Sequence, residues 1–220
     1  MEDEKIRQIV VPGEEIKTGK DLKSGHGTYE ENNKIYSKFL GIPQEFGSFI
    51  SVIPLSGPYL PKVGDKVIGI VTDVEKAGWI VDIKCPWQAF LPLSEAVDEF
   101  IDIKKVNLNR YFEPDDIIYS EVIDTRRGDV HLTMRSQMSR KLKEGVIVEI
   151  TPSKVPRLIG KDGSMINMIK DKTKTTIRVG QNGIVWISGE DIDKAIKAIK
   201  LIEEKSHIYG LTNEIEKLLS

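Results

Sequence analysis

The sequence predicts a multidomain protein, mainly β with an α+β C-terminal part: a small β domain over residues 1–60, a five-stranded barrel over residues 61–140, and a βααββα domain over residues 141–220. Three observations predict this fold class. Short stretches of alternating apolar and polar residues, broken by glycine and proline, fill the first 140 residues. A Pro/Gly-rich boundary lies at residues 56–61. After residue 145 the apolar spacing becomes partly helical.

The first domain is predicted from four short strand-like stretches, at residues 9–11, 28–29, 35–36 and 49–53. Turn residues such as Pro12 and Gly13 separate them. A length of 220 residues allows one or two domains of ordinary size, or three small ones. We therefore expect residues 1–60 to form a small all-β unit.

The second domain is predicted to contain five strands, at residues 66–72, 79–83, 89–91, 117–123 and 130–133. In the first of these strands, Val67, Gly69 and Val71 share one face. In the second strand, Trp79, Val81 and Ile83 share one face. Five short strands with one longer connection are typical of a small Greek-key barrel.

The third domain is predicted as strand, helix, helix, strand, strand, helix, followed by a short tail helix with Thr212 as its N-cap. Asn182-Gly183 predicts a type I′ turn between the last two strands. The long helix has an apolar face and an opposite face that carries lysines. The last 80 residues have a net charge of +3, against −2 and −3 for the two preceding segments, so this domain is the one most suited to phosphate.

A Gly-x-x-Gly loop joins the first two helices of this domain, between Leu158-Ile159 and Met165-Ile166. Glycines allow a nucleic-acid backbone to approach closely, and the following helix directs its N–H groups at phosphate. The segment resembles a KH domain, and the resemblance implies RNA contact by Arg157, Ile159, Gly160, Lys161, Asp162, Gly163 and Ser164. The loop lacks the spacing of a nucleotide-binding P-loop, which makes an NTPase a poor interpretation.

The second domain resembles S1-type RNA-binding domains of the OB-fold class, through residues 63–65, 69–71, 78–82 and 89–94. The resemblance implies that Trp79 and Phe90 stack on RNA bases, and Arg126, Arg127 and Arg135 are the nearest candidates for phosphate contact. An aromatic residue on a barrel strand can equally pack in the core. The sequence leaves these two roles open for Trp79 and Phe90.

The N-terminal segment, with Val11-Pro12-Gly13-Glu14 and residues 25–29, is similar to the opening of exosome cap subunits. The order of the three domains resembles the archaeal exosome cap subunit of the ribosomal RNA-processing protein 4 type. The resemblance implies that the N-terminal domain docks on a hexameric ring of nuclease-fold subunits, with three cap copies per complex. It also implies a cap that binds single-stranded RNA and directs its 3′ end into the phosphorolytic ring.

No catalytic residue, metal site or cofactor is expected. His26, His131 and His207 are widely separated, and Asp115-Asp116 is interpreted as a solvated turn. Cys85 is the only cysteine, so we expect a core thiol and a cytoplasmic location. No apolar run approaches the length of a membrane-spanning helix, and the acidic start does not suit a signal peptide. The alternative function is a ribosome- or translation-associated RNA-binding factor, and a nuclease is the remote third.

Overall fold

The computed structural model describes residues 9–19, 21–97, 107–206 and 210–219, with the side chain of Arg127 excepted. The chain divides into two compact units, Met1–Gly57 and Pro58–Ser220. His207 and the acidic first five residues lie outside the described residues. No helix in the described ranges is long and apolar enough to cross a membrane.

The first unit contains two small three-stranded sheets, with strand orders β1-β4-β3 and β2-β6-β5. Their strands are β1 (Glu15–Thr18), β2 (Lys23–Ser24), β3 (Thr28–Glu31), β4 (Lys34–Ser37), β5 (Gly41–Phe46) and β6 (Phe49–Pro54). Buried Ile35, Ile50 and Val52 supply apolar core residues. The predicted all-β character of this segment is confirmed.

The second unit begins with a closed five-stranded barrel of β7 (Lys66–Glu75), β8 (Gly78–Asp82), β9 (Ala89–Pro92), β10 (Ile117–Asp124) and β11 (Val130–Thr133). The pairing of β10 with β11 closes the barrel, and β11 runs parallel to β9. A short strand that the sequence did not predict, β12 (Arg140–Leu142), extends the sheet beyond β10. A short helix, α1 (Leu93–Ala96), follows β9.

The βααββα domain follows the predicted order. Its elements are β13 (Val146–Glu149), α2 (Val155–Ile159), α3 (Ser164–Thr173), β14 (Thr175–Val179), β15 (Ile184–Gly189), α4 (Ile192–Lys205) and the tail helix α5 (Leu211–Leu218). The sheet order is β13-β15-β14. Apolar residues of the four helices pack against one face of this sheet.

The other face of the same sheet packs against the outside of the barrel. Ile184 and Trp186 of β15 form one buried cluster with Ile68, Tyr119 and Leu142 of the barrel strands β7, β10 and β12. Burial of apolar area of this kind is the main favourable contribution to such contacts. We call this contact between the barrel and the βααββα domain the junction.

Two local predictions were wrong. The Asn182-Gly183 turn is not type I′, because only Gly183 has a positive φ (83°) whereas type I′ needs two such residues. The Asn182 side chain instead bonds to the barrel. The tail helix begins after Gly210, which has left-handed φ and ψ angles, so Thr212 lies inside the first turn and is not the N-cap.

Candidate nucleic-acid interface

The Gly160–Gly163 loop has backbone dihedral angles that favour glycine at both of its ends. Gly160 has a φ of 75° and a ψ of 176°, and a Cβ there would lie 2.8 Å from the backbone nitrogen of Met165. Gly163 is left-handed, with a φ of 78° and a ψ of 9°. Asp162 between them also has a positive φ, of 52°. The loop therefore presents a stretch of backbone without a side-chain wall at either glycine.

Helix α3 begins immediately after this loop, and no side chain caps its N-terminus. The first N–H groups of a helix lack partners within the helix and carry partial positive charge. Lys161, Ser164 and Arg157 are all exposed around this end, whereas Ile159 is half-buried and packs against the domain core. The loop thus combines cations, a hydroxyl and a helix N-terminus, which together can bind phosphate. Asp162, also exposed, adds one opposing negative charge.

Trp79 is not available to stack on RNA, because its side chain is 0% exposed in the barrel core. Its indole Nε1 donates a hydrogen bond of 2.9 Å to the carbonyl oxygen of Phe112. The rings of Trp79 and Phe112 pack edge to face, with centroids 5.2 Å apart. Of the two roles left open for Trp79, the structure supports core packing, and the prediction of an RNA contact is corrected for this residue.

Phe90 has the opposite environment. It alternates on β9 with buried Ala89 and Leu91, so its half-buried side chain lies on the outside of the barrel. Its ring packs edge to face against His131 of β11, with centroids 6.1 Å apart. Its far end lies over Gly78, where a Cβ would come within 2.8 Å of its Cζ. Phe90 is therefore a candidate for base stacking from the outer face of the barrel.

Trp87 is an exposed aromatic residue that was given no role from the sequence. Its side chain is 43% exposed in the loop before β9, and it lies beside Gly128 of the loop before β11. The pairing of β9 with β11 brings these two loops together, near Phe90 and His131. The sequence signal that could have found Trp87 is its position in a loop, where a tryptophan has no strand face on which to be buried.

Two of the three arginines predicted to contact phosphate, Arg126 and Arg135, bind acidic or carbonyl groups. Arg126 donates hydrogen bonds from Nε and Nη2 to the two carboxylate oxygens of Asp124. These hydrogen bonds hold the pKa of Asp124 well below its usual range. Arg135 donates from Nη2 to the carbonyl oxygen of Ser94, 2.6 Å away, and approaches Glu95. The side chain of Arg127 lies outside the described residues. Arg126 and Arg135 thus carry charges that are already partly neutralised.

The described residues contain no group of three or more His, Cys, Asp and Glu side chains that could hold a metal ion. Asp116 accepts a hydrogen bond from the backbone of Glu113 and pairs with Lys141, which is the arrangement of a structural turn. The thiol of Cys85 donates to the carbonyl oxygen of Trp87 at 3.0 Å. The site has the chemistry of binding: an open glycine loop, exposed cations and an aromatic surface.

An OB-type barrel joined to a βααββα domain with an intact Gly-x-x-Gly loop defines a protein of the S1–KH class. Family models agree with this assignment. Residues 9–42 match the exosome complex exonuclease RRP4 N-terminal region, residues 58–124 match the RRP4 S1 domain, and residues 145–204 match the KH domain. The barrel is therefore an S1 domain and the βααββα domain a KH domain, as predicted.

Curated relatives make the assignment specific. The exosome complex component Rrp4 of Thermococcus kodakarensis is 46% identical over 98% of this chain and 86% of its own length. The protein of the same name from Pyrococcus abyssi is 46% identical over 97% of this chain and 82% of its own. A crystal structure of a putative exosome complex RNA-binding protein is 32% identical with a TM-score of 0.68, covering 74% of this chain and 95% of the other. The chain belongs to the Rrp4 family of exosome components, which confirms the resemblance found in the sequence.

Proposed function

We propose that this chain is a non-catalytic cap subunit of an exosome, which binds single-stranded RNA and directs its 3′ end into a phosphorolytic ring. The observation that carries the proposal is the open Gly160–Gly163 loop, set at the uncapped start of α3 in a chain of the Rrp4 family. Such a loop is suited to clamp a nucleic-acid backbone.

The proposed RNA contacts are of two kinds. In the KH domain they are Arg157, Ile159, Gly160, Lys161, Asp162, Gly163 and Ser164, where backbone N–H groups and cations meet phosphate. In the S1 domain they are Phe90 and, as outer phosphate contacts, Arg126, Arg127 and Arg135. Base stacking on an aromatic ring contributes about 1–3 kcal/mol per base and tolerates any sequence. The edge-to-face support of Phe90 by His131 favours it over Trp79.

The N-terminal unit is proposed to dock on a hexameric ring of nuclease-fold subunits. Support comes from the hairpin of β5 and β6, where Phe46 and Phe49 are directly opposite each other. Their side chains are 64% and 47% exposed. Adjacent exposed aromatic residues are typical of protein contact surfaces. Three copies around one pore would multiply weak RNA binding by raising the effective concentration of RNA at its entrance.

A test of this proposal uses the tagged chain expressed in its own cells, where we propose a cytoplasmic location. Proteins that co-purify are identified by mass spectrometry, and RNA decay is measured with and without inorganic phosphate. We expect two homologous ring subunits, with phosphate-dependent decay that the chain stimulates and does not perform alone.

A matched pair of variants makes the test sharper. The variant Phe46→Ser/Phe49→Ser should lose the ring subunits, whereas Val63→Ser, which removes an exposed apolar residue outside this hairpin, should retain them. Recovery of ribosomal proteins alone would favour the alternative, a translation-associated RNA-binding factor. Metal-dependent RNA cleavage by the purified chain would contradict the non-catalytic assignment.

A further inference from the structure

Two half-buried cations of the KH domain, Lys170 and Arg178, lie on neighbouring elements. Lys170 is on α3, and Arg178 is on β14, which packs against α3. Burial first, and then the nearby Arg178 guanidinium, lower the pKa of the Lys170 ammonium, while the adjacent Asp171 opposes this change. Within the described ranges neither cation forms an ion pair with a carboxylate.

The S1 domain completes this cluster from the other side of the junction. The guanidinium carbon of Arg178 lies 6.0 Å from the centroid of the Tyr119 ring on β10. Arg140 of β12 is the direct cross-strand neighbour of Tyr119, so both side chains are on the same face of the sheet. Arg140 is exposed, and its Nε donates only a long bond of 3.4 Å to the carbonyl oxygen of Met138. Glu121, two residues from Tyr119, is the acidic group nearest in sequence on this strand.

Like charges held close together are unfavourable for the folded protein, and more so where burial reduces screening. Groups whose ionisation is perturbed by burial and by neighbouring charges are frequent at functional sites. A bound anion would relieve the repulsion between Lys170 and Arg178. A guanidinium presents a planar set of donors that matches the oxygens of a phosphate group.

We propose that Lys170, Arg178 and Arg140 form a second binding site for the phosphodiester backbone of single-stranded RNA, at the junction of the S1 and KH domains. This inference rests on the proposed function and extends it, because it identifies a route for RNA between the two domains. Helix α3 begins at the glycine loop with Ser164 and carries Lys170 six residues later, about 9 Å along its axis. An RNA strand held at the loop therefore needs only a short extension along α3 to reach the cluster.

The test measures binding of fluorescein-labelled oligoadenylate by fluorescence anisotropy, with RNAs of two lengths. The variant Lys170→Gln/Arg178→Gln removes two charges at the junction. The control Lys194→Gln/Lys197→Gln removes two charges from the exposed side of α4. An RNA of about four nucleotides fills the glycine loop alone, and one of about twelve extends beyond it.

We expect the junction variant to bind the longer RNA about tenfold more weakly and the shorter RNA as well as the wild type does. The slope of log affinity against log salt should fall by about 1.4 for the longer RNA, since each phosphate contact on a single strand contributes about 0.7. The α4 control should change neither quantity. The single variant Lys170→Gln should not lower the melting temperature, because it removes a repulsion rather than a favourable contact.

Two results distinguish failure of this inference from failure of the proposed function. If the junction variant binds both RNAs like the wild type while Gly163→Asp loses affinity, the junction site is wrong and RNA binding at the loop stands. If the wild-type chain binds neither RNA, the proposed function itself fails. Equal loss of RNA affinity in the junction variant and the α4 control would also overturn the site. It would mean that binding depends on the overall charge of the chain and not on the position of these cations.

Discussion

The side chain of Asn182 in the KH domain pairs with the backbone of Ile68 in the S1 domain. Its Nδ2 donates to the Ile68 carbonyl oxygen at 2.7 Å, and the Ile68 N–H donates to its Oδ1 at 3.3 Å. A third bond runs from Nδ2 to the carbonyl oxygen of Ile83 at 2.9 Å. The pairing of β7 with β8 begins at Ile70, so Ile68 lies beyond the end of that ladder. The Asn182 amide supplies hydrogen bonds at the point where β8 no longer pairs.

Replacing Asn182 with Ala should therefore lower the free energy of unfolding by about 2–4 kcal/mol, because buried backbone groups lose their partners. Chemical denaturation followed by circular dichroism measures this change. The control is Gln181→Ala, since Gln181 is exposed and its backbone N–H makes the contact with Lys66. A difference of less than about 0.5 kcal/mol between the two variants would contradict the assigned role.

Replacing Gly163 with Asp should weaken RNA binding about tenfold, or about 1.4 kcal/mol, by adding bulk and negative charge at the start of α3. The same change at Gly160 should also weaken binding, and it disturbs the fold as well because a Cβ there meets Met165. Anisotropy titration with labelled RNA measures the effect. Gly163→Asn is the matched control, since asparagine tolerates a left-handed backbone and adds no charge. Unchanged affinity of the Asp variant would mean that RNA binds elsewhere.

Replacing Phe90 with Ala should lower RNA affinity with little effect on stability, whereas Trp79→Phe should do the reverse. Loss of one stacked base at Phe90 is worth about 1–3 kcal/mol of binding. Trp79→Phe leaves the Phe112 carbonyl without its indole donor and creates a cavity, which should cost about 2–3 kcal/mol of folding free energy. Parallel binding and denaturation curves measure both effects. A large loss of affinity in a folded Trp79→Phe variant would argue against its core role.

The thiol of Cys85 should react slowly with Ellman's reagent at neutral pH. Burial raises the pKa of this thiol from its ordinary value, so the reactive thiolate is scarcer than in a free cysteine. The labelling rate should increase about tenfold per pH unit while the pH remains below the raised pKa. Chain unfolded in guanidinium provides the reference rate. Native labelling as fast as that of the unfolded chain would contradict the assigned environment.

The sequence contained enough information to predict the order of the five barrel strands, the βααββα order and the glycine loop. The sequence pattern also indicated that Trp79 is buried, because Trp79 lies on the same strand face as Val81 and Ile83, which are core residues. The resemblance to S1-type domains instead implied that the Trp79 side chain faces outward and stacks on RNA bases. The alternation was the more reliable guide, since in a barrel every second residue of a strand faces the interior.

The junction was harder to predict because it depends on contacts between two separate patterns. Its signal in the sequence is a loss of alternation: residues 67–71 and 184–187 are apolar or glycine throughout. Strands buried on both faces read in this way. The role of Asn182 was hidden by the Asn-Gly pair, whose usual meaning is a type I′ turn. Nothing in the local sequence shows that the asparagine side chain bonds to another domain.

Strand β15 is covered by helices on one face and by the S1 domain on the other, with Val185 and Ile187 on the first and Ile184 and Trp186 on the second. A cut between the two domains would therefore expose an apolar sheet surface on each fragment. Melting of one domain removes the cover of the other, which couples their unfolding into one cooperative step. We therefore expect each domain to be less stable alone than within the pair.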